Sequence, residues 1–198
     1  MKAIFKILML LITMFSFGQP VTSIKQLGTT LPSEVENGTY LKDLNGEYLP
    51  YVGIWKGIKD GKEYTFDFQI FNQRIVSFPN GDYYFRDELV AKYQVRNTLT
   101  NTILYTTMSV SNFEDFPIFA LSTPDSDGRQ DFHFTDSAAH CYNTLDFSLM
   151  KTPGNLNQLK YGIFRYAEFW DYENCPNYPE RTNIPVPIPT GWLIFYKQ

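Results

Sequence analysis

The stretch GIWKGIKDGKEYTFDFQI, residues 53–70, leaves this chain little choice of fold. Asp60-Gly61 favours a two-residue turn of the type I′ kind, in which both central residues take positive φ. Pairing outward from that turn sets Lys59 against Lys62, Gly57 against Tyr64, Trp55 against Phe66 and Gly53 against Phe68. Side chains alternate across a strand, so all of these residues share one face. The other face carries Ile54, Lys56, Ile58, Glu63, Thr65, Asp67 and Gln69 and is largely polar. The aromatic face is therefore the inner one. Gly53 and Gly57 each stand opposite a large ring that covers the gap the glycine leaves. Glycines within strands also permit the coiling that barrel closure requires.

More strands follow at the spacing of an all-β domain. In Glu88 to Arg96, Leu89, Ala91, Tyr93 and Val95 fall on one side. Thr102 to Val110 is set to pair with it across the polar loop Asn97 to Asn101. Phe116 to Leu121 and Gln130 to Thr135 flank the loop PDSDGRQ. Thr144 to Met150 turns Leu145, Phe147 and Leu149 inward. Lys160 to Trp170 is strongly aromatic, and Trp192 to Lys197 is the last strand. No window carries a helical period, and short helical turns fit only the region before residue 50 or residues 154–160. No internal repeat is present. The expected fold is all-β: an antiparallel barrel or a strongly coiled sheet.

The two ends differ from this middle. Residues 1–18 place Lys2 and Lys6 ahead of an apolar run, with Ser16 and Gly18 at its end. That is the plan of a secretory signal peptide, whose removal would leave Gln19 first. The run is short of the roughly 20 residues that span a bilayer. No cysteine follows it, which argues against a lipoprotein. The expectation is one exported domain over residues 19–198, periplasmic or extracellular, with no membrane insertion after cleavage. Residues 19–50 read as a polar lead-in along the outside of the domain. Residues 176–189 hold five prolines. Proline cannot donate to a sheet ladder, so this segment reads as an extended strap laid across the domain.

Without Lys2 and Lys6, the 17 basic residues become 15 against 21 acidic ones, a net charge of −6. This argues against nucleic acid as a partner, since phosphate binding needs concentrated Lys and Arg. Cys141 and Cys175 are the only cysteines. In an exported chain an even count favours a disulfide, which would stabilise the fold by roughly 3–4 kcal/mol in the chain-entropy model.

Gly53-x-Trp55 at the head of the first long strand resembles the first signature of the lipocalins, where the tryptophan packs across the closed end of an eight-stranded barrel. The arginine that family uses to close over the tryptophan has Lys197 as its nearest counterpart here. A wider resemblance is to a family of small exported proteins of Bacteroidota, known only as a domain of unknown function. It rests on NGTYLKDL, on YVGIWKGIKDGKEYTF, on the Asp-Glu-Leu-Val run at residues 87–90, on the cysteine before the late strands, and on NCPNY with IPVPIPTGWLIFYK at the end. It implies an exported, lipocalin-like β domain and no known activity.

Catalytic chemistry finds little support. Asp131, His133 and Thr135 share a strand face, which reads as a polar outer surface rather than a metal or proton-transfer site. A hydrolase working near His133 is the weakest of the readings. PDSDG, residues 124–128, lacks the ligands of a calcium loop and reads as a turn with Asx hydrogen bonds. Ser137 lacks a nucleophile elbow. The carboxylates single out no glycosidase pair. No enzyme, metal or cofactor is expected. The richest feature is the aromatics, 17% of the chain. Trp55, Tyr64, Phe66 and Phe68 face inward, where rings either fill a small barrel as core or line a cavity for one small apolar or amphipathic molecule. The alternative is a surface module with a solid barrel that contacts protein or glycan.

Overall fold

A computed structural model describes residues 18–28, 30–135, 144–166 and 186–198. Its strands are β1 (Val21–Ser23), β2 (Tyr40–Lys42), β3 (Gly53–Lys59), β4 (Lys62–Ser77), β5 (Tyr83–Asn97), β6 (Ile103–Thr106), β7 (Ile118–Ala120), β8 (Arg129–Thr135), β9 (Thr144–Thr152), β10 (Asn155–Tyr166) and β11 (Leu193–Lys197). Among the described residues there is no α-helix, only short 3-10 turns at Ile24–Gly28, Pro32–Glu34 and Phe113–Asp115.

Eight strands close into an antiparallel barrel in the order β3-β4-β5-β7-β8-β9-β10-β11, with β11 returning to β3. The fold is a lipocalin-like meander. Closure matters physically because it leaves no unpaired strand edge in the ring. The opening hairpin has the register that Asp60-Gly61 dictates: Lys59 opposite Lys62, Gly57 opposite Tyr64, Trp55 opposite Phe66, Gly53 opposite Phe68. Asp60 and Gly61 both take positive φ, 50° and 72°. Leu89, Ala91, Tyr93 and Val95 are buried, as are Leu145, Phe147 and Leu149.

Several elements depart from the sequence reading. The strand after the first turn does not stop near Ile70. It passes a bulge between Phe71 and Arg74, where Gln73 takes a φ of 55°, and runs on to Ser77. The strand expected over Thr102 to Val110 is only β6, four exposed residues paired to β5 outside the ring. Residues 154–160 form no helix: Pro153-Gly154 turns β9 directly into β10.

The lead-in is the largest correction. Most of it is at least partly exposed, as expected, but it does not lie only on the outside. β1 and β2 pair in parallel and β2 pairs with β5, while Ile24, Tyr40, Leu41, Tyr48 and Tyr51 are buried in the core. This segment is polar by composition, yet its few apolar side chains seal one end of the barrel, the base. The proline strap is described only from Val186. Ile188 is buried, Val186 packs against the core, and the Pro189 carbonyl accepts a hydrogen bond from Tyr161 Oη at 2.6 Å. Cys141, Cys175, Ser137 and His140 lie outside the described residues.

Candidate binding site

Inside the barrel the expected residues come together. Trp55, Phe66 and Phe68 are almost completely buried, and Tyr64 nearly so. Phe66 stacks on Phe195 at 4.8 Å between ring centroids and meets Phe147 at 5.9 Å. Phe147 in turn stacks on Phe132 at 5.3 Å and touches Tyr161 at 4.9 Å, while Phe68 meets Phe132 at 5.0 Å. The Phe66–Phe147 contact is informative because β4 and β9 lie diametrically opposite in the ring of strands. Rings from opposite walls touch, so at this level the barrel is filled with side chains. Such tilted and stacked geometries are the favoured ones for aromatic pairs.

The base is built as a unit. Gly53 takes a φ of 120°, a value that disfavours any side chain, and the space a side chain would need holds the Lys197 stem. The Lys197 ammonium then lies 5.3 Å from the centre of the Trp55 ring, a cation–π contact. Lys197 thus stands where the lipocalin resemblance places its closing cation. Trp55 Nε1 donates to the Tyr51 carbonyl at 2.6 Å, and Tyr51 Oη donates to the Gly128 carbonyl at 2.8 Å. The polar tips of Trp55 and Tyr51 therefore both have partners. Burial pushes the Tyr48 and Tyr51 hydroxyls well above the usual tyrosine range.

On the outer face of β3, β11 and β10 lies an open groove of about 710 Å³, within the range of about 300–1,000 Å³ usual for small-molecule sites. Its apolar surface is Ile58, 64% exposed, Trp192, 65%, and Tyr196, 54%. Lys56, Lys59 and Lys160 line it with a single carboxylate, Glu63. Glu63 is already matched by Arg96 at 2.7 Å and Lys56 at 3.5 Å. Lys59 Nζ donates to the carbonyls of Thr190 at 2.6 Å and Trp192 at 3.3 Å, which ties the approach to β11 down. Trp192 lies against the backbone of Gly162: a Cβ there would overlap the ring carbons Cζ3, Cε3 and Cη2. A glycine has let the indole pack closely on the strand with much of its surface in solvent.

Sequence reasoning missed this groove. Alternation does put Trp192, Ile194 and Tyr196 on one face of the last strand, opposite Leu193 and Phe195, but it does not say which of two aromatic faces is the outer one. The signal lay in the partner strand, whose Lys56 and Ile58 belong to the polar face of the opening hairpin.

Asp131, His133 and Thr135 share the outer face of β8, between the buried Gln130, Phe132 and Phe134. The carboxylate beside His133 is not Asp131 but Asp146 across the ladder, at 2.7 Å from Nδ1. Asp131 instead accepts from Ser148 Oγ at 2.5 Å. The serine hydroxyl is thus turned away from the imidazole, and no nucleophile–base pair forms there. In PDSDG, Asp125 Oδ1 accepts from the backbone of Asp127 at 3.0 Å and Arg129 at 2.8 Å, the Asx turn expected. Comparison with protein-family models, curated proteins and solved structures finds no match to this chain.

Proposed function

We propose that this protein is an exported, non-enzymatic binding protein that takes a small amphipathic molecule, and that the ligand lies in the groove on the outer face of the barrel. The observation that carries this reading is the groove itself: exposed Trp192 and Tyr196 stand beside three lysines whose charge Glu63 does not balance. The filled interior supports it, since a ligand at the level of Phe66 and Phe147 would have to displace rings in mutual contact. Export rests on the signal-like residues 1–18 and on the resemblance to exported Bacteroidota proteins. In that setting Cys141 and Cys175 pair.

A second reading keeps the ligand inside, above the ring layer. Its support is that, among the described residues, the lead-in seals the base while none is seen to cross the other end, where β8 ends at Thr135 and β10 at Tyr166.

Native mass spectrometry of the chain from Gln19 separates the two. An excess mass that disappears on denaturation and is missing from Trp192→Ala fits the outer groove. An excess that Trp192→Ala retains puts the ligand inside and overturns the outer-face reading.

A further inference from the structure

We infer that the groove ligand is an acidic saccharide, with one sugar ring stacked on Trp192 and its carboxylate facing Lys56 and Lys160. This inference rests on the outer-face reading above and narrows it to a ligand class.

Three features of the face point there together. The first is the platform. Trp192 packs against Gly162 and is 65% exposed. The face of an aromatic ring carries partial negative charge. Its natural complement is the weakly positive array of C–H groups on one side of a pyranose ring. An aliphatic chain gains most from an enclosed apolar tunnel, whereas this groove is open.

The second is charge. The chain as a whole is acidic, at −4, yet the groove is lined by three lysines and one already paired glutamate. A patch of one sign on a molecule of the other sign selects ligands of opposite charge and steers their approach.

The third lies beyond Trp192. Gly162, on which the indole rests, is the ladder partner of Ser148, and Ser148 pairs with Asp131. Asp131, Asp146, Arg129 and Arg165 line a small pocket of about 150 Å³ on the outer face of β8 to β10, with Ser148 buried at its floor and donating to Asp131. The platform is therefore bordered by lysines on one side and by two carboxylates and two guanidiniums on the other. Groups that both donate and accept are what a row of sugar hydroxyls needs. A simple fatty acid or detergent would leave that second border unused.

The test is titration of the chain from Gln19 with a galacturonic acid hexamer, a neutral galactose hexamer and dodecanoate, followed by calorimetry. Trp192→Ala, Lys160→Gln and Ser148→Ala are run beside the wild type, each first checked for a native circular dichroism spectrum. The expected result is binding of the acidic hexamer alone. Trp192→Ala weakens it about tenfold or more, the equivalent of roughly 1.4 kcal/mol or more. Lys160→Gln weakens it several-fold and flattens its salt dependence. Equal binding of the neutral hexamer overturns the acidic assignment. Binding of dodecanoate alone, lost in Trp192→Ala, overturns the saccharide and leaves the outer-face reading standing. No Trp192-dependent binding of any probe overturns both.

Discussion

Replacing Phe66 with alanine separates a ring that is core from a ring that lines a cavity. Phe66 has no exposed surface and meets Phe68 and Phe147 at 5.9 Å, Tyr161 at 6.4 Å and Phe195 at 4.8 Å. Loss of its transfer free energy alone costs about 1.5–3 kcal/mol. If its neighbours are fixed, the void adds to this, and Phe→Ala in a core costs about 3–5 kcal/mol in all. Here the surrounding rings hang from strands that are hydrogen-bonded on both sides, so the walls cannot collapse inward without breaking ladders. The upper part of the range, about 4–5 kcal/mol, is expected. For a domain of this size that is a fall in Tm of about 8–20 °C. Urea unfolding with unchanged slope gives the free energy directly. The new void is apolar and dry, so it should also bind benzene. A cost below about 2 kcal/mol, no more than the transfer term, would mean that Phe66 borders space already empty. The filled-barrel argument would then fail.

Other measurements follow from the same contacts. Gly162→Ala drives a methyl group into the Trp192 ring; tryptophan emission should shift to the red and stability fall by about 1–3 kcal/mol, and an unchanged spectrum would show that the indole does not rest there. Burial raises the hydroxyls of Tyr48, Tyr51 and Tyr161 above the usual value, as it does Tyr64. All are neutral in both states below about pH 10, so their stability is intact there. As pH rises further the unfolded chain ionises first, and each costs about 1.4 kcal/mol per pH unit. Titration followed at 295 nm should show these tyrosines silent until the protein unfolds, and a native titration in which every tyrosine ionises near pH 10 would contradict their burial. Lys197→Met should cost about 0.5–2 kcal/mol, mostly recovered by Lys197→Arg; equal losses in both would mean that the charge over Trp55 is idle. Peptide mapping without reductant should link Cys141 to Cys175, and two free thiols would remove the bridge.

The parts of this fold that could be read from the sequence are those in which a local signal settles a non-local fact. Asp60-Gly61 fixes a turn, the turn fixes a register, and the register fixes which face Trp55, Tyr64, Phe66 and Phe68 occupy. Clean alternation did the same for Leu145, Phe147 and Leu149. The lead-in carried no such signal. Ile24 sits in a 3-10 turn, Leu41 in a strand and Tyr51 in a turn, so their common burial has no period. Only the finished barrel end brings them together. The second half of β4 was hidden for a related reason. Its bulge at residues 72–73 shifts the alternation, and a shifted alternation reads as the end of a strand.

The closing strand β11 ties the core to the outer groove. Its register against β3 and β10 cannot be set by a tight turn, because the chain that precedes it is long. Glycine gaps on both flanks set it instead. On one side a Cβ at Gly57 would meet the Ile194 carbonyl oxygen at 2.8 Å and the Leu193 side chain at 3.0 Å, and one at Gly53 would meet the Lys197 stem at 3.1 Å. On the other side Gly162 receives Trp192. A slip of one residue would turn Phe195 out to solvent and bring Tyr196 into the ring layer. It would also lift the Lys197 charge from Trp55 and move Trp192 off its platform. One register therefore sets both the lid on the base and the exposed indole of the groove. Filling the gap at Gly53, which lies outside the groove, should thus weaken ligand binding beside Trp192 by shifting β11, a loss that calorimetry would read.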